Sequence, residues 1–359
     1  MSIGLGIVGT GTVARLHAEA ATSVGARLGG VFDVDPDRAE VFVQEYPGAT
    51  AQPTLDALLD RPDIAAVIVA VPNCYHKPVA IAAMNAGKDV LLEKPMALSV
   101  AECDDILAAV RRTGQMLQMG FVCRGAPAAM AARAVIESGR LGRIYHAKAS
   151  LYRQRGIPGL GRWFTTRTMS GGGALMDVGV HLIDLVMHLT GFPRPLRASA
   201  VCTGTFGSPI EPYGFQEMWG GPPDPAGVFD VEDAATALVR FDRGMSVQLN
   251  VAWAANFDPD HLRDGIVLLG DTGGCVVDLW RNELIITTER DGQVVTEKQD
   301  LPAGDAWDSA WRRQAERFCR CVESRTPPEA SAADGRAVQT VVDALYRSAD
   351  EQREVEIEA

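Results

Sequence analysis

An α/β fold in two domains is what this sequence predicts: a parallel, doubly wound sheet first, then a second α/β region whose sheet is largely antiparallel. Three observations carry that expectation. Short apolar strands alternate with amphipathic helices through the first third of the 359 residues. That alternation stops near residue 122. From Leu196 onward, longer strand-like segments are joined by tight turns such as Asp242-Arg243-Gly244 and Asp291-Gly292, which are hairpin signals. The expected domains are therefore 1–122 and 123–359.

Taken in order, Ile3 to Gly9 reads as a strand, Val13 to Ser23 as a helix, Leu28 to Asp33 as a strand and Pro36 to Glu45 as a helix. Ile64 to Val71 is a continuous apolar run of the kind a strand buried on both faces requires. His76 to Ala86 is helical, with Gly87 able to cap it, and Asp89 to Leu92 is the next strand. Ser99 to Thr113 is a helix whose Ser99 and Glu102 form a capping box, and Met116 to Phe121 is a strand. Then come a helix from Pro127 to Ser138, a strand from Ile144 to Tyr152, a Gly/Pro/Arg-rich loop from Arg153 to Arg162, and a helix from Gly173 to Leu189. The later strands are Arg197 to Thr205, Asp233 to Phe241, Met245 to Ala254, Gly265 to Gly270, Gly274 to Leu279 and Glu283 to Glu289. Gly207 to Gly227, rich in Pro and Gly, reads as a long surface loop. Helices at Trp307 to Ser324 and Asp334 to Glu351 close the chain.

Composition narrows the function. Apolar residues make up 47% and charged residues 22%, the balance of a soluble globular enzyme. A net charge of -12 with no Lys/Arg-rich run argues against a nucleic-acid partner. Charges or glycines interrupt every apolar stretch, so no membrane span is expected. Met1 to Gly9 lacks a basic leader and runs into a glycine-rich turn, so it reads as a first strand and not as a secretory signal. The seven cysteines are scattered without a CxxC pair, which favours a reduced, cytoplasmic protein in which they act as small buried hydrophobes.

Gly9-Thr10-Gly11-Thr12-Val13-Ala14 has the GxGxxG/A form directly after a strand and at the opening of a helix. Gly9 permits the tight turn, Gly11 the approach of a pyrophosphate, and Ala14 close helix–strand packing, while the helix N-terminus supplies N–H donors. Asp33 closes the second strand, where a carboxylate accepts from a ribose 2′-OH and repels a 2′-phosphate. NAD is therefore expected, and NADP less so. Arg38 could approach a phosphate, stack on adenine, or simply be a solvated helix charge.

Two further motifs carry chemistry. Glu93-Lys94-Pro95 follows a buried strand, which would put Lys94 into the crevice at the C-terminal end of a parallel sheet. In Gly171-Gly172-Gly173-Ala174-Leu175-Met176-Asp177-Val178-Gly179-Val180-His181-Leu182-Ile183-Asp184, Asp177 and His181 are spaced to share one helix face, and Asp184 continues it. A carboxylate beside an imidazole orients a base and raises its pKa. Taken alone, the same pair also fits a helix N-terminal acid and a buried histidine. A metal is not expected, because the pair lacks a third ligand.

At these residues the chain resembles the glucose–fructose oxidoreductase/inositol dehydrogenase (Gfo/Idh/MocA) family. The resemblance rests on GTGTVA at 9–14, Val71-Pro72-Asn73 followed by His76, AGKDVLLEKP at 86–95, GGGALMDVGVHLID at 171–184, and Ser331 to Ser348. It implies an N-terminal Rossmann domain, a C-terminal α/β domain with a large open sheet, and packing of that sheet in a homodimer or homotetramer. Lys94, Asp177 and His181 occupy the family's catalytic positions. His181 is expected to take the hydroxyl proton during oxidation and Lys94 to stabilise charge on the same oxygen, while Asp177 orients the imidazole or binds a neighbouring hydroxyl. Val71, Pro72, Asn73, His76 and Glu93 match positions lining the cofactor, with Gly9, Thr10, Gly11, Thr12, Val13, Asp33, Arg38 and Lys94. Trp163-Phe164 matches an aromatic stretch near the nicotinamide, although such a pair also fits a core. Arg153 and Arg155 are expected to reach substrate hydroxyls. Arg124 precedes Gly125 where similar proteins carry an aromatic, which suggests a more open corner of the pocket, and Arg162 stands before Trp163 where glycine is frequent. His17, His146, His188 and His261 read as structural.

The activity implied is NAD(H)-dependent hydride transfer to or from a secondary hydroxyl or keto carbon of a sugar, anhydrosugar or cyclic polyol. An NAD-dependent glycoside hydrolase working through transient ring oxidation is the alternative enzyme, and a non-catalytic NAD-binding sensor the alternative without chemistry.

Overall fold

The computed structural model describes residues 3–208, 210, 219–259, 261–262 and 264–358. The chain forms two compact units, Met1–Val122 with Ala310–Ala337, and Cys123–Ser309 with Val338–Ala359.

The first unit is built on six strands: β1 (Gly4–Val8), β2 (Arg27–Phe32), β3 (Thr50–Ala51), β4 (Ala66–Val69), β5 (Asp89–Glu93) and β6 (Leu117–Gly120). All pairings are parallel, in the order β3-β2-β1-β4-β5-β6, so the direction of winding reverses between β1 and β4. Both faces of β1 and β4 are buried, as their continuous apolar sequences require. The crossovers are α1 (Thr12–Ser23), α2 (Pro36–Glu45), α3 (Leu55–Leu59), α4 (His76–Asn85) and α5 (Val100–Thr113). Local chemistry sets their ends. The Ser99 hydroxyl accepts from the Glu102 N–H at 3.3 Å, and Gly114 closes α5 in the left-handed region. β3 and α3 are absent from the sequence expectation because two and five residues are too short to show a period. Thr54 still caps α3, accepting from the Ala57 N–H at 3.0 Å.

The sequence expectation assigned all of 123–359 to the second domain. Residues 310–337 pack instead in the first unit. Phe318 enters the core cluster with Leu5, Ile7, Val31 and Phe42, the Met119 N–H donates to the Ala330 carbonyl at 2.8 Å, and Arg325 pairs with the buried Asp89. Amphipathic spacing shows that a helix has a buried face but not which sheet buries it.

The second unit carries an open nine-stranded sheet. Its strands are β7 (Ile144–Tyr152), β8 (Pro195–Thr203), β9 (Ala234–Phe241), β10 (Ser246–Ala252), β11 (Gly265–Gly270), β12 (Gly273–Asp278), β13 (Glu283–Arg290), β14 (Gln293–Lys298) and β15 (Val355–Glu356). They run β14-β13-β12-β11-β7-β10-β9-β8-β15, antiparallel except for the central β7/β10 pair. Strict alternation of burial along β9 shows one face packed and the other open. Asp291 and Gly292 both adopt positive φ in the β13–β14 hairpin, the turn that an Asp-Gly pair favours. On the packed face, α6 (Pro127–Glu137) lies against α8 (Val180–Thr190), which lies on β7. A short helix α7 (Arg167–Ser170) and a π-helical turn (Leu175–Gly179) lead into α8. The stretch Arg167–Thr190 is long and apolar enough to cross a membrane, yet 94% of its most apolar window is buried inside the protein, as in a core helix. The last two helices are α9 (Ala306–Ser324) and α10 (Ala332–Glu351). The expected loop at 207–227 lies partly outside the described residues, at 209 and 211–218.

Candidate functional site

In the first unit, the residues singled out by sequence gather on the C-terminal edge of the parallel sheet, where the winding reversal opens a crevice. Gly9, after β1, has φ +88°, and a Cβ there would lie 2.4 Å from the Ala70 carbonyl oxygen, so only glycine fits this turn. Gly11 caps α1 with backbone alone. A Cβ on it would meet nothing nearer than Arg38 Nη2 at 3.7 Å, so the space above it is open. No acidic residue occupies the first turn of α1, whose amides and dipole favour an anion. Thr12 is exposed and Val13 half-buried at this rim, with Ala14 packed beneath. An open glycine under a helix N-terminus fits the pyrophosphate of a dinucleotide.

Asp33 does more than the sequence suggests. Its Oδ2 accepts from both the amide and the hydroxyl of the buried Thr10, each at 2.8 Å, and its Oδ1 accepts from the Asp35 amide at 3.0 Å. The carboxylate thus ties the glycine turn to the end of β2. Arg38 is exposed, with its guanidinium directed over Gly11.

Behind this rim, His76 is fully buried, with Nδ1 2.7 Å from the Pro95 carbonyl oxygen and Nε2 2.9 Å from that of Val71. It joins the segments that follow β4 and β5, and burial pushes its pKa below the ordinary histidine value. Asn73 is buried, Val71 and Pro72 half-buried. Glu93 is also buried: Oε1 lies 2.8 Å from His17 Nε2, and Oε2 accepts from the Lys94 amide at 3.2 Å. The His17 ring meets Trp311 edge-on at 4.9 Å. The sequence expectation treated His17 as an isolated structural residue, because nothing local links it to a carboxylate 76 positions away. Lys94 is half-buried and joined to Pro95 by a cis peptide.

In the second unit, the glycine run before Asp177 has a packing cause. A Cβ on Gly172 would collide with the Tyr346 hydroxyl at 1.9 Å, and one on Gly173 with the Glu232 carbonyl oxygen at 1.7 Å. The buried Glu232 carboxylate accepts from the Gly173 amide (3.0 Å), the Leu175 amide (2.9 Å) and the Tyr346 hydroxyl (2.7 Å), so it fixes the start of the helix that carries Asp177 and His181. Burial nevertheless raises its pKa.

Asp177 sits in the π-helical turn, 6% exposed, and its Oδ2 accepts from Nε1 of the fully buried Trp253 at 2.9 Å, with Arg153 Nη1 at 4.0 Å. His181 is half-buried on α8, and its Nδ1 lies 3.8 Å from Cys123 Sγ. Asp177 and His181 therefore each meet a partner that the sequence expectation did not name. Asp184 pairs with Arg124 through contacts of 2.6 to 3.2 Å, both side chains buried. Arg124 accordingly lies within the fold, committed to Asp184.

Of the two arginines expected near substrate, Arg153 reaches the Asp177 carboxylate. Arg155 is committed to Asn256 Oδ1 (2.7 Å) and the Ala255 carbonyl (3.2 Å), with its guanidinium 5.1 Å from the Phe206 ring centroid. Trp163 stacks on Phe164 at 3.6 Å, and Phe164 meets Trp219 edge-on at 4.7 Å. Trp253, Cys123 and Glu232 are the neighbours that sequence reasoning missed. A lone Trp, Cys or Glu in a strand or turn carries no signal of what it will face.

A glycine turn open to a pyrophosphate on a doubly wound sheet is the architecture of a dinucleotide-binding protein. The comparisons with known proteins agree: the oxidoreductase family with an NAD-binding Rossmann fold matches residues 3–121, and the GFO/IDH/MocA C-terminal domain matches residues 129–276. The chain belongs to the GFO/IDH/MocA oxidoreductase family. D-glucoside 3-dehydrogenase of Escherichia coli (strain K12) is 29% identical over 357 residues, covering 98% of this chain and 96% of the relative. Glucose-6-phosphate 3-dehydrogenase of Bacillus subtilis (strain 168) is 34% identical over 190 residues, 52% of this chain and 53% of the relative. The solved structure of levoglucosan dehydrogenase in complex with NADH and levoglucosan shares the fold, with a TM-score of 0.88 at 22% identity over 100% of both chains.

Proposed function

We propose that this enzyme is an NAD(H)-dependent dehydrogenase acting on a secondary hydroxyl, or in reverse the keto carbon, of a sugar, anhydrosugar or cyclic polyol. Cyclic glucose derivatives are the leading class. The observation that carries this reading is the Asp177 carboxylate, held by Trp253 Nε1 at 2.9 Å and flanked by Arg153, one turn before His181. A fixed acceptor and an imidazole on one helical stretch, with a cation reaching the acceptor from the segment after β7, suit a ring bearing several hydroxyls, and the Trp163/Phe164 pair offers an apolar face for its C–H surface. The names of the two 3-dehydrogenase relatives favour a ring hydroxyl.

His181 takes the substrate's hydroxyl proton during oxidation. Lys94 donates a hydrogen bond to the same oxygen and stabilises its developing charge. Asp177 and Arg153 bind neighbouring hydroxyls and fix which carbon reacts. NAD, when bound, supplies the hydride acceptor. Gly11, Thr12 and Val13 would hold its pyrophosphate at the helix N-terminus, on the turn that Gly9 and the Asp33-bound Thr10 shape; Asp33 would contact its adenosine ribose, and Arg38 would lie beside its phosphate or adenine. Val71, Pro72, Asn73, His76 and Glu93 shape the wall beyond. We place the reaction in the cytoplasm and on a homodimer or homotetramer. The support for assembly is the open sheet face, where register puts Val201, Leu238, Leu269 and Val276 on one side, 36–63% exposed.

The test mixes the protein with NAD or NADP and a panel of glucosides, anhydrosugars, hexoses and inositols, following reduced-cofactor absorbance. Reduced cofactor forming with one of them supports the reading and names the class. Leaving-group release from an aryl glycoside without net reduction replaces it with the NAD-dependent hydrolase, and silence in both with the sensor.

A further inference from the structure

We propose that Cys123 is a positioning residue for His181: its sulfur holds the imidazole in the tautomer whose Nε2 lone pair can receive a proton. The inference rests on the proposed role of His181 as proton acceptor, and deepens it.

Cys123 and Arg124 are consecutive on the short turn Val122–Gly125. Arg124 is bound through two nitrogens to Asp184, which lies three residues after His181 on α8. The pair is buried, with side-chain exposures of 2% and 1%, so it locks the turn against the helix. Cys123, one residue earlier on the turn, is thereby brought to His181, the earlier of the two positions on the helix. Its sulfur lies 3.8 Å from Nδ1, within reach of the long, weak hydrogen bonds that sulfur makes, and the thiol is only 4% exposed.

Proton accounting decides what this contact does. A neutral imidazole carries one N–H and one ring lone pair. If Nδ1–H donates to the sulfur, the lone pair is on Nε2 and can receive the hydroxyl proton. The substrate's O–H electrons then form the carbonyl as hydride leaves the carbon for oxidised NAD. Nδ1–H remains on the sulfur throughout, so the contact survives the change from imidazole to imidazolium. If instead S–H donated to Nδ1, the proton would sit on Nε2 and block it.

The experiment compares the full-length protein with Cys123→Ala, Cys123→Ser and the volume-matched Cys123→Val. The tautomer of His181 is read by ¹⁵N chemical shifts in histidine-labelled protein, and the pH profiles of kcat and kcat/KM are recorded in the oxidative direction. The expected result is an Nδ1-protonated His181 in the wild type. The Nε2-protonated form should gain in the Ala and Val variants, with kcat lowered by roughly 3–10-fold, a shifted pH profile, and KM and NAD affinity unchanged. Serine, which can also accept, should retain the wild-type tautomer and most of kcat. An unchanged tautomer and pH profile in whichever of the Ala and Val variants folds overturns the proposal. His181→Ala is measured alongside. Full turnover there removes His181 from the mechanism, an outcome distinct from the tautomer result, which needs no turnover.

Discussion

The Arg124–Asp184 pair lends itself to a quantitative test of how the second unit is held together. Both side chains are almost fully buried, the guanidinium makes contacts of 2.6, 3.0 and 3.2 Å to the carboxylate, and its carbon lies 5.3 Å from the Phe192 ring centroid. Removing Asp184 as Asp184→Leu leaves a buried guanidinium without that carboxylate, at a cost of about 3–5 kcal/mol, and Arg124→Met should cost a similar amount. Replacing both removes the two desolvation penalties together, so the double variant should return to within ~2 kcal/mol of the wild type or exceed it. For a unit of about 200 residues, each kcal/mol moves Tm by roughly 2–4 °C, so each single substitution should lower it by roughly 6–20 °C. Calorimetry without added NAD is the assay, since a bound nucleotide would shift Tm by mass action. A single variant melting within 2 °C of the wild type, or a double variant as unstable as the two singles added, would refute the reasoning.

Trp253→Phe removes the Nε1–H that holds Asp177 and should lower kcat/KM by about 10-fold or more, in line with losing a hydrogen bond to a charged group. Unchanged kinetics in a folded variant would show that Asp177 is oriented by something else. Asp33→Ala releases Thr10 and should weaken NAD binding by about 10-fold while narrowing the preference over NADP, and an unaltered ratio of the two dissociation constants by calorimetry would exclude Asp33 as the discriminating group. Burial pushes the thiols of Cys202 and Cys275 up to about 12 and that of Cys319 to about 11. At pH 8 their thiolate fractions are of order 10⁻³ to 10⁻⁴, so iodoacetamide should leave all three intact in the native protein and label them in urea. Because the folded values lie above the unfolded ones, the stability these thiols contribute is complete below about pH 8.5 and is lost as pH rises towards 11–12. Rapid native labelling at pH 8, seen by mass spectrometry, would contradict that environment.

The nucleotide-binding edge was legible in the sequence because its chemistry is backbone chemistry. Gly9 needs φ +88° and a bare Cα beside Ala70, and the pattern that satisfies both is contiguous, so the motif states the geometry directly. The nine-stranded sheet was legible in part through its hairpins. Asp291-Gly292 announced one, but β14 beyond it, with little apolar alternation, did not register. The packing of 310–337 and the partners of the site residues were not legible. His17 finds Glu93, Asp177 finds Trp253, and Gly173 finds Glu232 across 76, 76 and 59 positions. Nothing in the local sequence specifies such pairs, because each depends on how whole elements dock.

The same contrast separates what the two motifs specify. In the first unit the glycines clear space for a ligand, and Gly11 has nothing above it but the end of a flexible arginine. In the second unit they clear space for the protein itself: Gly172 and Gly173 admit the Tyr346 hydroxyl and the Glu232 backbone, and Glu232 then satisfies the amides that open the helix. A substitution at Gly11 would therefore act on nucleotide affinity first, whereas one at Gly173 must displace backbone and would act on the fold and on the placement of Asp177 together. Side chains that reach outward from such a start are positioned by buried neighbours, Trp253 for Asp177 and Cys123 for His181, rather than by the motif that contains them. Relatives can therefore share the motif and still differ in substrate through residues that lie outside it.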